Sequence, residues 1–232
     1  MILTRDYIDD YLFCPMLFGK NTLSDKYSIP KLQNEYSKFK DHVAEIASYE
    51  MKNCEKLSLY DYRIKYTNKH YSSSKRLMNN LNDGIINKLN RLFSYFSDNI
   101  FIGYNIPIDV AAPGTSAVFR KIYDFGLINT DQTELLFVEI EDLSDELEFK
   151  KKLINWPHWY TPNSYLAKTF NKKVIVLYLD PVLDKQIEVA YLPEMFSADI
   201  ESLSKIVNPI SNGVFWKALN SCKDCSLVGE CG

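Results

Sequence analysis

The sequence has 232 residues, 46% of them hydrophobic and 25% charged, which is the composition of a globular chain able to bury a real core. Its net charge of −3 excludes a uniformly basic nucleic-acid binder, so any affinity for phosphate must come from a local patch. No run approaches the roughly 20 apolar residues of a membrane span, and Arg5, Asp6, Asp9 and Asp10 stand where a signal peptide would be apolar. A soluble, cytoplasmic protein is expected.

In chain order, the segment 2–20 opens with Tyr7, Ile8, Tyr11 and Leu12 at helical spacing. Thr4 precedes them as an N-cap, and Cys14-Pro15 ends or kinks the helix, because the residue before a proline is pushed out of the helical region. A second helix is predicted over about 33–54, with Phe39, Val43, Ile46 and Ala47 on one face. A third is predicted over about 74–96, with Leu77, Leu81, Ile85, Leu89, Leu92 and Phe96. From Arg63 to Arg91, across that helix and the loop before it, Arg63, Lys65, Lys69, Lys75, Arg76, Lys88 and Arg91 stand against only Asp83, with Tyr66 and Tyr71 interleaved. This is either a phosphate-binding patch or a solvated helix face.

The pattern then changes to strands over 100–109, 117–129 and 134–141, with turn signals at Gly114-Thr115-Ser116 and Asn129-Thr130-Asp131. Helices follow over 145–156 and 163–171, split by Pro157 and Pro162. The run Val174-Ile175-Val176-Leu177 marks a strand over 173–179, 187–191 reads as another, and 197–207 as a last helix. Helices, then strands, then helix and strand again predict an α/β fold with a mixed sheet flanked by helices. The bias toward Lys, Asn, Ile and Tyr over Gly fits an AT-rich genome, viral or bacterial.

Five cysteines are an odd number, which argues against a pure disulfide framework, and clustered reduced thiols more often bind metal. Cys222, Cys225 and Cys231 form a C-x2-C-x5-C run that supplies three thiolates. A tetrahedral metal or a cubane cluster needs a fourth. Cys14 and Cys54 are the candidates, and Cys14, fixed by the following proline just past a helix end, is the better one. The four thiolates suit an iron–sulfur cluster or Zn²⁺. Such a centre staples the two chain ends together, so its loss is expected to destabilise the whole chain.

The strands carry a second constellation. Asp124 and Glu139 sit on neighbouring strands of a hairpin, and Glu139 and Glu141 share a face because alternate strand residues do. Converging carboxylates repel unless a cation lies between them, and hard divalent ions such as Mg²⁺ or Mn²⁺ take oxygen ligands of this kind. His42, on the second predicted helix, is a further candidate ligand. The plain alternative for the two glutamates is the exposed face of an edge strand.

These parts together resemble the iron–sulfur nucleases of the PD-(D/E)XK superfamily, especially the CRISPR-associated iron–sulfur exonucleases and the RecB/AddB-type exonuclease domains. Cys14-Pro15-Met16-Leu17-Phe18 is similar to their N-terminal Cys-Pro-x-x-Phe/Tyr element, and the tail is similar to their cluster spacing. His42 falls where the family carries a metal-ligand histidine. Asp124 in Tyr-Asp-Phe-Gly is similar to the metal-binding aspartate, and Glu139 to the acidic residue of the E-x-K motif. Two departures stand out. Glu141 takes the place of the lysine that positions the attacking water and stabilises charge. In the later glutamine–tyrosine motif, Tyr165 matches the tyrosine and Thr161 stands where the glutamine is expected.

The resemblance implies a restriction-endonuclease-like fold in one domain, 1–232. Segments 1–20 and 208–232 would bind the cluster, 21–99 would be a helical part, and 100–207 the sheet core. It implies a metal-dependent DNA nuclease, exonuclease-like on single-stranded DNA or DNA ends. Mg²⁺ or Mn²⁺ would sit on Asp124, Glu139 and His42, with Glu141 orienting water. A [4Fe–4S] cluster would sit on Cys14, Cys222, Cys225 and Cys231. Tyr165, Lys75 and Arg76 would hold the DNA strand, and a helicase, recombination or integration partner would suit such an activity. The departures leave open a second expectation, a protein that keeps fold and cluster and binds DNA without cutting it.

Overall fold

The computed structural model describes residues 1–14, 99–180, 183 and 185–214. The helices expected over 33–54 and 74–96, His42, Lys75, Arg76 and the cysteines of the tail lie outside the described residues.

Strands form where the sequence turns to alternating apolar and β-branched residues. β1 (Ile2–Thr4) is followed by α1 (Arg5–Phe13); further on, β2 (Asn99–Ala111), β3 (Val118–Asn129) and β4 (Glu134–Ile140) make an antiparallel meander. The β2–β3 connection turns at Gly114, whose φ of +81° glycine adopts without steric cost. The β3–β4 turn is tied by side chains: Thr133 N–H donates to Asp131 Oδ1 and Glu134 N–H to Asn129 Oδ1, the local bonding that favours Asn and Asp in turns.

The chain then leaves the sheet through α2 (Glu146–Asn155) and α3 (Pro157–Phe170). It returns as β5 (Lys173–Asp180), parallel to β4, and β6 (Lys185–Tyr191) pairs antiparallel on the far edge. A 3₁₀ turn (Pro193–Met195) leads into α4 (Phe196–Ser211). Among the described residues the sheet runs β1-β3-β4-β5-β6, with β2 on the other side of β3. The fold is therefore mixed α/β, a mixed sheet flanked by helices, as the order of elements predicts. No helix among the described residues is long and apolar enough to cross a membrane.

The first helix begins at Arg5 with Thr4 at the N-cap position, as expected, and Ile2–Thr4 before it finds a strand partner in β3, where Val118 N–H donates to Met1 O. Two boundaries differ from the sequence reading. The helix expected over 163–171 starts at Pro157 and runs through Pro162. Pro157 occupies the first helical position, where a missing N–H costs nothing. Pro162 gives up one internal bond, and the burial of Trp159, Leu166 and Ala167 around it outweighs that loss. α4 likewise continues beyond Val207, through Pro209, to Ser211.

One core lies between the sheet and the crossover helices, with Tyr123, Phe137, Val176 and Tyr178 against Phe149, Trp159 and Leu166. The other face of the sheet buries Phe125, Leu127, Leu136, Val138, Leu177 and Leu179. A further core joins the start of the chain to α4: Leu3, Ile8 and Tyr11 pack with Phe119, Leu203, Val207 and Ile210. Each fully buried aliphatic side chain there contributes about 1.5–3 kcal/mol. Tyr11 OH donates to Val214 O at 2.9 Å. Residues 11 and 214 are thus neighbours in space.

Candidate functional site

β1 and β4 lie on the same side of β3 and approach each other end to end. Thr4 at the end of β1 pairs with Arg120, whereas the β4 pairing begins at Phe125 opposite Val138. On that side no strand pairing covers residues 121–124 of β3. Arg5 follows directly on β1, and Glu139 lies near the end of β4, so both enter this fork.

The alternation of β3 slips inside it. Tyr123 packs in the crossover-side core with Phe137, yet Phe125, two residues on, packs on the opposite face with Val138. The partner strand marks the same place with Asn105 at φ +48°. Asp124 occupies the slip. It is 5% exposed, and its Oδ2 accepts a 2.6 Å hydrogen bond from Ile140 N–H on β4. The carboxylate thus takes up a backbone donor that continued strand pairing would otherwise satisfy. Gly126 beside it is required by close packing: a Cβ there would lie 2.8 Å from Ile106 Cδ1 and 2.9 Å from Phe137 Cε1.

Glu139 is 1% exposed and is met by two cations. Lys121 Nζ stands 2.6 Å from Oε1, at ion-pair distance although off the axis of a good hydrogen bond, and Arg5 Nη1 stands 3.5 Å from Oε2. Lys121 also donates to Trp159 O and Asn163 Oδ1, both at 3.1 Å. Asn163 is fixed by Tyr123 OH at 2.5 Å and by its own bond to Trp159 O at 3.1 Å. Burial lowers the Lys121 pKa from the ordinary lysine value, and the adjacent Glu139 charge works against that fall. Burial also holds the Tyr123 and Tyr178 hydroxyls well above their ordinary range, so both are neutral.

Glu141 lies just beyond β4 and is held by Arg5 Nη1 at 2.7 Å. The guanidinium stacks over the Trp159 ring, 4.3 Å from its centroid. Burial alone would lower the Arg5 pKa, but Glu141 and then Glu139 raise it on balance. Glu139 and Glu141 do share a side, as their spacing predicts, and the cation between them is a guanidinium.

A cleft of about 320 Å³ opens onto Arg5, Trp159 and Lys152, and its remaining charged lining is acidic: Asp6, Asp9, Glu141, Asp142, Asp145 and Glu148. Behind it, buried His158 shares a 2.6 Å contact between Nε2 and Asp9 Oδ1, and burial lowers its pKa.

Of the residues singled out in the sequence, the structure brings Asp124, Glu139 and Glu141 to one end of the β3–β4 hairpin. Tyr165 is committed elsewhere, its ring 5.5 Å from Phe196 in the packing of α3 on α4. Thr161 is buried and donates to Asp199 O. Cys14 is a buried free thiol directly after α1. Two buried carboxylates suit a hard divalent ion in kind. Among the described residues, however, no three His, Cys, Asp or Glu side chains come together as a metal-holding group. The third ligand expected from the resemblance, His42, lies outside them.

Sequence reasoning missed Arg5, Lys121 and Asn163. Lys121 had a signal: it falls between Phe119 and Tyr123 at the inward-facing positions of β3, where a lysine needs a buried partner.

No family model matches the sequence, and no curated protein matches it. Among solved structures the chain is similar to one titled "Crystal structure of SSO0001". The TM-score is 0.32 with 12% identity, covering 86% of this chain and 98% of that one. A likeness of this size carries no argument about fold family or activity. The class defined so far is a mixed α/β domain with a buried, ion-paired carboxylate site at a strand fork.

Proposed function

We infer that the chain is a metal-dependent deoxyribonuclease of the PD-(D/E)XK type, acting on single-stranded DNA or DNA ends. The observation that carries this reading is the pair Asp124 and Glu139, both buried, on adjacent strands where β1 and β4 meet. Burying two carboxylates together is costly unless their charge is used or compensated. Here Ile140 N–H holds one and Lys121 the other, which compensates their burial and fixes where they point. Asp124 and Glu139, with His42, are the residues that would hold Mg²⁺ or Mn²⁺. When bound, the ion would supply Lewis acidity and an activated water. The acidic cleft agrees with this, since it admits a polyanion only when cations neutralise it.

The cluster reading is supported by the contact between Tyr11 and Val214. That contact brings the segment ending in Cys14 to the point from which the cysteine-bearing tail departs. A [4Fe–4S] centre on Cys14, Cys222, Cys225 and Cys231 would close this junction, with Zn²⁺ as the alternative occupant. Iron content and visible absorbance of anaerobically purified protein separate the two.

The test of the nuclease reading is cleavage of end-labelled single-stranded DNA over a titration of Mn²⁺ and Mg²⁺. Cleavage abolished by Asp124→Ala, in a protein that still melts cooperatively, is the expected result. One observation favours a second reading: both oxygens of Glu139 already face cations of the chain itself. A protein that binds DNA and cleaves under none of these metals would be the non-cutting relative.

A further inference from the structure

We propose that Arg5 is the substrate-facing cation of this site, held in place by Glu141, and that it takes the anionic oxygen of the phosphodiester. The proposal rests on the nuclease reading above and deepens it.

The two cations of the site are not equivalent, and a count of donors separates them. An ammonium has three N–H groups, and a guanidinium has five in a planar fork. Lys121 has three oxygens within 3.1 Å, those of Glu139, Trp159 and Asn163. It is also 4% exposed. Enclosed by these oxygens, it is shut off from a ligand in the cleft, so its role is to position Glu139. Arg5 uses only Nη1, on Glu141 and Glu139. Among the described residues its Nε and Nη2 donate to nothing. The side chain keeps a quarter of its surface exposed and opens onto the cleft. It is held by stacking on Trp159 on one side and by Glu141 on the other. A planar fork that is fixed, charged and partly unspent is the arrangement that suits two phosphate oxygens.

This gives Glu141 a role other than that of a base. Its carboxylate stands at the place of a missing lysine and recruits a cation from α1 in its stead. A cationic group at that point is supplied by a residue 136 positions away in sequence. In hydrolysis a water oxygen adds to phosphorus and one bridging P–O bond breaks. One water proton leaves to solvent or a base, and the departing oxygen is protonated. Arg5 gives up no proton. It offsets the charge that grows on the non-bridging oxygens.

The experiment compares Arg5→Gln, Glu141→Gln, the double variant Arg5→Gln/Glu141→Gln, and Arg5→Gln/Glu141→Lys with the full-length parent. Each is first checked for a cooperative melt. Arg5→Gln is expected to lower kcat on the order of 100-fold, the effect of removing one transition-state donor. If Arg5 served only to neutralise Glu141, removing both charges would restore activity. The double Gln variant is expected to stay as slow as Arg5→Gln, and Glu141→Lys in that background is expected to recover at least part of the rate. The readout independent of turnover is binding of a fluorescent single-stranded oligonucleotide in fixed Ca²⁺ with KCl varied. Losing one phosphate contact lowers the slope of log K against log salt by about 0.7. A double Gln variant that cleaves within twofold of the parent, or an unchanged salt slope in Arg5→Gln, overturns the assignment while leaving the nuclease reading intact. A parent that cleaves with no metal removes both.

Discussion

Replacing Lys121 by Met keeps most of the apolar body of the side chain and deletes the ammonium, and with it the ion pair in the fork and the bonds to Trp159 O and Asn163 Oδ1. Glu139, at 1% exposure, then loses its 2.6 Å partner. It keeps only the longer contact with Arg5 at 3.5 Å. Breaking a buried pair in this way costs about 3–5 kcal/mol, most of it from the stranded charge. The carboxylate has one escape, which is to take up a proton. From an ordinary Glu value of about 4.3, at about 1.4 kcal/mol per pH unit, that route caps the penalty at about 3.7 kcal/mol near pH 7 and about 1 kcal/mol near pH 5. The expected result is a penalty that shrinks on acidification. Urea denaturation of parent and Lys121→Met at several pH values between 5 and 7 reads it directly. The double variant Lys121→Met/Glu139→Gln should recover most of the loss at neutral pH, because no charge is left stranded. A single-variant penalty below about 1 kcal/mol, or one that does not change with pH, would mean that Glu139 is far better solvated than its burial indicates.

Gly126→Ala should cost about 1–3 kcal/mol through overpacking, since the new methyl group meets Ile106 and Phe137 at 2.8 and 2.9 Å; Phe137→Leu in the same chain should recover part of it in a thermal melt. His158 is held neutral, since burial lowers its pKa against the pull of Asp9. Its stabilising contribution is therefore complete above the unfolded value of about 6.5 and is lost as pH falls through that value toward the lower folded one, because the unfolded chain binds the extra proton. Subtracting the stability of His158→Gln from that of the parent at several pH values should reveal a term that declines with acidification below that point. A difference independent of pH would show that His158 does not titrate between the two states.

The sheet was legible because its strands announce themselves locally. The continuous run at 174–177 and the turn chemistry at Asn129 and Asp131 need no distant partner to be read. The adjacency of Asp124 and Glu139 was also legible, because a hairpin of known turn fixes which residues face each other. Arg5 was not. Its role depends on β1 joining β3 in parallel, a pairing between a three-residue strand and a segment more than 100 residues on, and no local pattern encodes that. Asn163 was hidden for a related reason. The helix was expected to begin at that residue, whereas it starts at Pro157 and turns Asn163 inward under the site. The slip at Asp124 breaks the strict alternation on which strand reading relies. Departures of this kind are expected where function competes with regularity.

α1 is where the two halves of the functional reading meet. Arg5 begins the helix against Glu139 and Glu141, Asp9 holds His158 one turn later, and Tyr11 bonds Val214. Cys14 closes the helix as a buried thiol. A helix of nine residues spans about 13 Å, so a centre on Cys14 and a cation on Glu141 would be joined by one short rigid rod. The rod is amphipathic in function as well as in sequence: Ile8 and Tyr11 anchor it in the core shared with α4, and Arg5 and Asp9 turn toward the cleft. A centre on Cys14, as proposed above, would therefore also set the position of the guanidinium in the fork, and would bear on the two buried carboxylates by fixing one helix.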